Sequence, residues 1–197
     1  MRFGEPFGGL IPGAVGGTLA VLLRTGTPLT GRQVHAALRD RFSLWSVQQA
    51  LASLVGLGVV ASRTVGRASL HSVNEGHYAI QPLRVLVDPF AALREAVGGA
   101  VGSGVDAVVL FGSVARGDAG PTSDIDLMVL APPGWDGRSD LAEAVRDRLG
   151  NACDVLVFTP LEFTRLAVSG EEPVVAQILA DGVVLHGSLP RARAGVA

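Results

Sequence analysis

The chain contains no lysine: all 16 of its basic residues are arginine. Any mechanism that needs a lysine amine is excluded, and the Gly-x4-Gly-Lys-Ser/Thr phosphate loop is absent. Cysteine occurs once, as Cys153, so an intrachain disulfide framework is ruled out and a reducing, cytoplasmic setting is expected. The four histidines, at 35, 71, 77 and 186, are too scattered for a zinc set. Long unbroken apolar runs are missing as well. Leu10 to Leu23 comes nearest, but Pro12, Gly13, Gly16 and Gly17 interrupt it and Arg24 follows without a small-residue cleavage site. It reads as a buried helix, and no membrane association is expected. What is present is a core-forming composition, 48% hydrophobic against 17% charged over 197 residues, enough for one large domain or two small ones.

Charge is unevenly spread. Up to residue 82 there are seven arginines against Glu5, Asp40 and Glu75, a balance of +4; the remainder carries nine arginines against fifteen acids, a balance of −6. A basic half suits a polyanion, and an acidic half suits metal. In the basic half a helix is expected over 11–24. A second follows Thr30, which makes a capping box with Gln33, and a third follows Ser43, with Leu44, Val47, Leu51, Leu54 and Val55 on one stripe. The period then turns strand-like at Val59–Arg63 and Ala68–Val73 around Gly66, which reads as a hairpin. Three helices and a basic hairpin resemble a winged helix-turn-helix. That resemblance implies double-stranded DNA as a partner, with Ser46, Gln48 and Gln49 toward base edges and Arg63 and Arg67 toward phosphates. The alternative use of such a module is dimerisation, as a homodimer, or docking of another protein.

Residues 74–82 read as an exit strand or linker, and Asp88-Pro89 as the start of a helix through Val97, with a loop over 98–104. Strands are expected at 105–111, 125–130 and 153–158, and again at 183–185. Helices are expected after Ser139, Pro160 and Pro173. Between the first two strands lies the densest chemistry of the chain, Phe-Gly-Ser-Val-Ala-Arg-Gly-Asp over 111–118 and Ser-Asp-Ile-Asp-Leu over 123–127. Strand alternation sends Asp124 and Asp126 to one side and Ile125 and Leu127 into the core. Two adjacent carboxylates repel unless a divalent cation binds between them, so metal is the economical reading. Asp154, at the head of the next strand, joins them if the two strands pair in register. Gly112-Ser113 lets a phosphate approach backbone N–H groups and the serine hydroxyl.

Gly112-Ser113, ten residues, then Asp124-Ile125-Asp126, with Ala115-Arg116-Gly117 inside, resembles the signature of minimal nucleotidyltransferases of the polymerase β superfamily. The resemblance implies an α+β fold, in which a mixed β-sheet flanked by helices follows the winged helix-turn-helix. Domains are expected over 1–82 and 83–187, with a flexible tail over 188–197. It further implies ATP as donor and two Mg²⁺ ions held by Asp124 and Asp126, with Asp154 as third ligand or as base. Gly112, Ser113 and Arg116 are implied to bind the triphosphate. Many relatives have Arg directly after the serine, where this chain has Val114. Small relatives adenylylate a HEPN-type toxin as antitoxins, which implies such a partner here. The competing reading is a transcription regulator whose second domain senses nucleotide without turnover. A third class, nucleotidylation of a small molecule, has no sequence sign of an acceptor pocket.

Overall fold

The computed structural model describes residues 1–120 and 122–190; the expected tail lies, from 191 on, outside the described residues. Contacts divide the chain into two units, Glu5–Pro89 and Met1–Gly4 joined to the chain from Phe90 onward.

In the first unit α1 (Gly13–Thr25) is followed by a two-residue strand, β1 (Leu29–Thr30), then α2 (Gly31–Leu38) and α3 (Leu44–Gly56). The caps are those the sequence encodes. Thr30 accepts from the Gln33 backbone while the Gln33 side chain accepts from Thr30, and Ser43 accepts from the Ser46 backbone. The hairpin forms as β2 (Val60–Val65) and β3 (Ala68–Val73), and β1 adds to it, giving an antiparallel sheet in the order β1-β3-β2. Leu19, Leu22, Val34, Val47, Leu51, Leu54 and Val60 fill one core between the helices and the sheet. The end of the segment expected as an exit strand or linker, residues 80–82, instead begins a helix, α4 (Ile80–Leu86). Pro82 misleads here: it is the third helical residue, where a missing N–H costs no intrahelical bond.

The second unit opens with α5 (Pro89–Ala100), which runs through Gly98 and Gly99 where a loop was expected. Then come β4 (Ala107–Phe111), the five-residue helix α6 (Gly112–Arg116), β5 (Ile125–Leu130) and α7 (Arg138–Leu149). The cap of α7 is Gly137, two residues before the expected Ser139, and having no side chain it makes no capping bond. β6 (Cys153–Phe158), α8 (Pro160–Ser169), α9 (Pro173–Asp181) and β7 (Val183–Gly187) complete the unit. The sheet is mixed, in the order β6-β5-β4-β7. β4 lies antiparallel to both β5 and β7, and β5 lies parallel to β6.

Both faces of this sheet are covered, which explains strands that are apolar on both sides. Val108, Leu110, Ile125, Leu127 and Val129 pack with Leu93 and Val97 of α5 and with Leu141, Val145 and Leu149 of α7. Val109, Phe111, Met128 and Leu130 pack with Phe163 of α8 and with Val175 and Ile178 of α9. Among the described residues no helix is long and apolar enough to cross a membrane.

The two tryptophans, Trp45 and Trp135, fall one in each unit, and Trp135 is the less exposed of the two. Leu127→Ala empties a fully buried position and is expected to cost about 2–5 kcal/mol, read from Trp135 fluorescence in urea. Thr30→Ala removes the α2 cap and is expected to cost about 1 kcal/mol, read from helical circular dichroism in urea.

Candidate active site

The two aspartates of the central motif are placed by strand alternation. Ile125 and Leu127 are fully buried on the α5/α7 side, so Asp126 between them turns to the α8/α9 side, ahead of Met128 and Leu130. Asp124 lies just before β5 and is exposed. The parallel register sets Asp126 directly opposite Asp154, and the antiparallel register sets Phe111 opposite Asp126. Neighbours in register share a face, so Asp126 and Asp154 stand side by side at the starts of their strands.

The same register brings Gly112, one residue beyond Phe111, against the Asp126 carboxylate. A Cβ at position 112 would overlap Asp126 Oδ2, and φ at Gly112 is +71°, a region that only glycine enters at low cost. Glycine is therefore required here twice over. Ser113 follows, half-buried, and its carbonyl accepts from the Asp118 N–H at 2.9 Å, so the chain curls back after α6. Arg116, at the end of α6, donates from Nε to Asp118 Oδ2 at 3.3 Å, and its charge is felt at Asp126. Val114 is 1% exposed and packs in the α5/α7-side core, so this position serves packing.

Electrostatics mark the same spot. Burial raises the Asp126 carboxyl above its ordinary range; Asp154 and then Asp124 push it further, and Arg116 pulls against them. The neighbouring Cys153 thiol is pushed up to about 12, by burial first and by Asp154 and Asp126 next. It stays protonated and is no nucleophile at neutral pH. Three carboxylates offer only hard oxygen donors, and the negative potential they share is what a divalent cation relieves, so the donor set fits Mg²⁺. Among the described residues, no three His, Cys, Asp or Glu side chains are gathered as a formed metal centre gathers them. The aspartates share a field without closing on a common point.

Asn151 is a residue that the sequence reading passed over as part of a turn. Its side chain is buried, and Nδ2 donates to the Ser123 carbonyl at 3.0 Å and to the Met1 carbonyl at 3.1 Å. Ser123 is the residue before Asp124, and the Ile125 N–H donates to the Ala152 carbonyl at 2.9 Å. One amide thus ties the approach to β5 to the approach to β6. An asparagine beside a glycine carries no sequence sign of this, because its partners are 28 and 150 positions away.

The residues assigned to DNA lie in the first unit. Gln48 and Gln49 are exposed on α3, and Arg63 and Arg67 are exposed on the hairpin. Ser46 is half-buried, and its hydroxyl lies 2.9 Å from that of the capping Ser43. Gln48 and Arg67 line one cleft.

The contact between Gly112 and Asp126 generates a testable cycle. Gly112→Ala is expected to destabilise the second unit by about 1 kcal/mol from φ alone, with the steric overlap adding to it. In an Asp126→Ala background the overlap with the carboxylate disappears and only a tight 3.3 Å approach to the Cβ of residue 126 remains, so the cost of Gly112→Ala is expected to fall toward the φ contribution. Urea titrations of the four proteins, followed at Trp135, measure this coupling.

Residues 92–186 match the family model described as a nucleotidyltransferase domain. No curated protein sequence matches the chain. Among solved structures, the chain is similar to a toxin-antitoxin crystallised with AMP-PNP, at 23% identity over 51% of this chain and 74% of that one, with a TM-score of 0.38. It is similar also to two mutants of the toxin-antitoxin MntA-HpeT. One is 20% identical over 50% of this chain and 73% of that one, TM-score 0.38; the other is 24% identical over 48% and 68%, TM-score 0.34. The family match takes in β4, the Gly112-Ser113 turn, Asp124, Asp126 and Asp154, so the chain carries a nucleotidyltransferase domain and its reaction class is nucleotidyl transfer.

Proposed function

We propose that the chain is a Mg²⁺-dependent adenylyltransferase that moves AMP from ATP to a hydroxyl on a partner protein, in the manner of an antitoxin acting on a HEPN-type toxin. The observation that carries this reading is the in-register pairing of Asp126 with Asp154, one residue from a glycine that holds the backbone against the same carboxylate. Asp124, Asp126 and Asp154 are the residues that would hold Mg²⁺. When bound, a pair of such ions neutralises phosphate charge and stabilises both the attacking and the leaving oxygen of an in-line displacement.

The chain's own residues have separate tasks in this reading. Gly112 admits a phosphate to the backbone because it has no side chain, and the Ser113 N–H and hydroxyl donate to phosphate oxygens. Arg116, steadied by Asp118, adds positive charge beside the carboxylates. Asp154, exposed at the head of β6, completes the metal set or takes the proton of the acceptor hydroxyl. A bond forms between that oxygen and the α-phosphorus, the bond from the α-phosphorus to the bridging oxygen breaks, and pyrophosphate leaves.

For the first unit, the element order α1-β1-α2-α3-β2-β3 and the sheet order β1-β3-β2 support a winged-helix module that binds double-stranded DNA. Gln48 and Gln49 would face bases, with Ser46 at the start of the same helix, and Arg63 and Arg67 would face phosphates. Such a module suits autoregulation of the chain's own operon from a cytoplasmic setting. Homodimerisation through this unit is the other use it would serve. The buried Val114, in place of a phosphate-facing arginine, favours a second reading in which the nucleotide is sensed with little turnover.

Incubation with α-labelled ATP, Mg²⁺ and the product of the adjacent gene is expected to label that product. Asp124→Asn with Asp126→Asn is expected to reduce the label by at least about 10³-fold; label that persists in this variant, or none with the native chain, overturns the transferase reading. In a salt titration of binding to the upstream duplex, Arg63→Ala with Arg67→Ala is expected to flatten the slope by about 2. An unchanged slope and affinity remove the DNA reading.

A further inference from the structure

The first unit contains a cleft of about 710 Å³ bounded by the start of α2, one face of α3, and the β2–β3 hairpin. Its lining is chemically two-sided. Leu51, Ala52, Val55 and Ala68 supply apolar surface, and Thr30, Gln48, Ser62 and Ser69 supply hydroxyl and amide groups. Arg32 reaches it from α2 and Arg67 from the hairpin, and no acidic side chain lines it among the described residues. Neither arginine has an ion-pair partner among the described residues, in contrast to Arg84, Arg116 and Arg148. Two unneutralised guanidinium groups facing one concave space stand without internal electrostatic compensation.

We infer that this cleft binds a small organic phosphate of nucleoside monophosphate size. Two arginines from separate elements match a dianion, and their planar forks match phosphate oxygens better than a point charge does. The apolar strip has no use for a bare inorganic ion and suits a flat ring. The volume falls inside the roughly 300–1,000 Å³ typical of small-molecule sites. His71 also lines the cleft, and its pKa is lowered by burial, so it adds a neutral ring that a base can lie against. Gln48 and Arg67 belong both to this lining and to the surface proposed for DNA, so an occupied cleft withdraws two groups from a duplex. The ligand site itself depends neither on catalysis nor on DNA binding.

The test is calorimetric titration of the full chain with AMP, ribose 5-phosphate and inorganic phosphate, in chelator so that no divalent cation loads the aspartates. AMP is expected to bind, with inorganic phosphate weaker by about tenfold or more. Arg32→Ala and Arg67→Ala are each expected to weaken AMP by about tenfold or more, with Arg32→Lys losing less than Arg32→Ala. Both arginines are exposed, and an unchanged far-ultraviolet circular dichroism spectrum and urea midpoint confirm that each variant is folded. Asp124→Asn with Asp126→Asn is expected to leave AMP affinity as it was. The inference is overturned if AMP does not bind, if binding survives loss of both arginines, if the aspartate variant abolishes it, or if inorganic phosphate or ribose 5-phosphate binds as tightly as AMP. Competition by duplex DNA for bound AMP agrees with the shared residues, whereas AMP binding that persists in a chain saturated with DNA separates the two surfaces and overturns the overlap.

Discussion

The parallel pairing of β5 with β6 is the constraint on which the second unit depends. It sets Asp126 beside Asp154, and the cost of holding two carboxylates together is met by burial and hydrogen bonding elsewhere: Val155, Leu127 and Val129 beneath the sheet, and Asn151 between the two strand entries. A slip of one residue would send every carboxylate into the α5/α7-side core and every core residue out of it. Continuous apolar packing on both faces makes such a slip expensive, so the repulsion between the aspartates is carried as local strain in charge rather than relieved by a change of register. The Asp126 carboxyl is raised by burial first, and the repulsion from Asp154 and then Asp124 adds to that rise.

Much of this was legible in residues 111–130. The alternation Asp124-Ile125-Asp126-Leu127 fixes sides as soon as the segment is a strand, and Cys153-Asp154-Val155 repeats the pattern at the head of another. The hairpin, the Thr30 capping box and the Ser43 cap were equally local. What could not be read depends on partners distant in sequence. The approach of Gly112 to Asp126 follows from antiparallel pairing of β4 with β5, and a glycine in the motif signals only permissiveness. Asn151 looks like turn chemistry until Ser123 and Met1 are brought to it. α4 was hidden by Pro82, which signals a break in a helix interior but is harmless in a first turn.

The two units handle charge in different ways. In the second, acids gather and Arg116 is drawn toward them through Asp118, so positive charge is partly spent inside the protein. In the first, Arg32, Arg63 and Arg67 are left without ion-pair partners among the described residues and are exposed, on α2, on β2 and in the hairpin turn. Arginine's permanent charge suits both arrangements, and the complete absence of lysine means that neither relies on an amine whose protonation can be tuned.

The crossover between β5 and β6 has its own consequence. α7 presents Leu141, Val145 and Leu149 to the face of the sheet opposite the one that bears Asp126 and Asp154. Its outward surface can therefore diverge, acquiring new charge or contour through evolutionary drift, while the pairing of Asp126 with Asp154 behind it stays unaltered. A fold wired in this way can change the company it keeps on one side faster than the reaction it performs on the other.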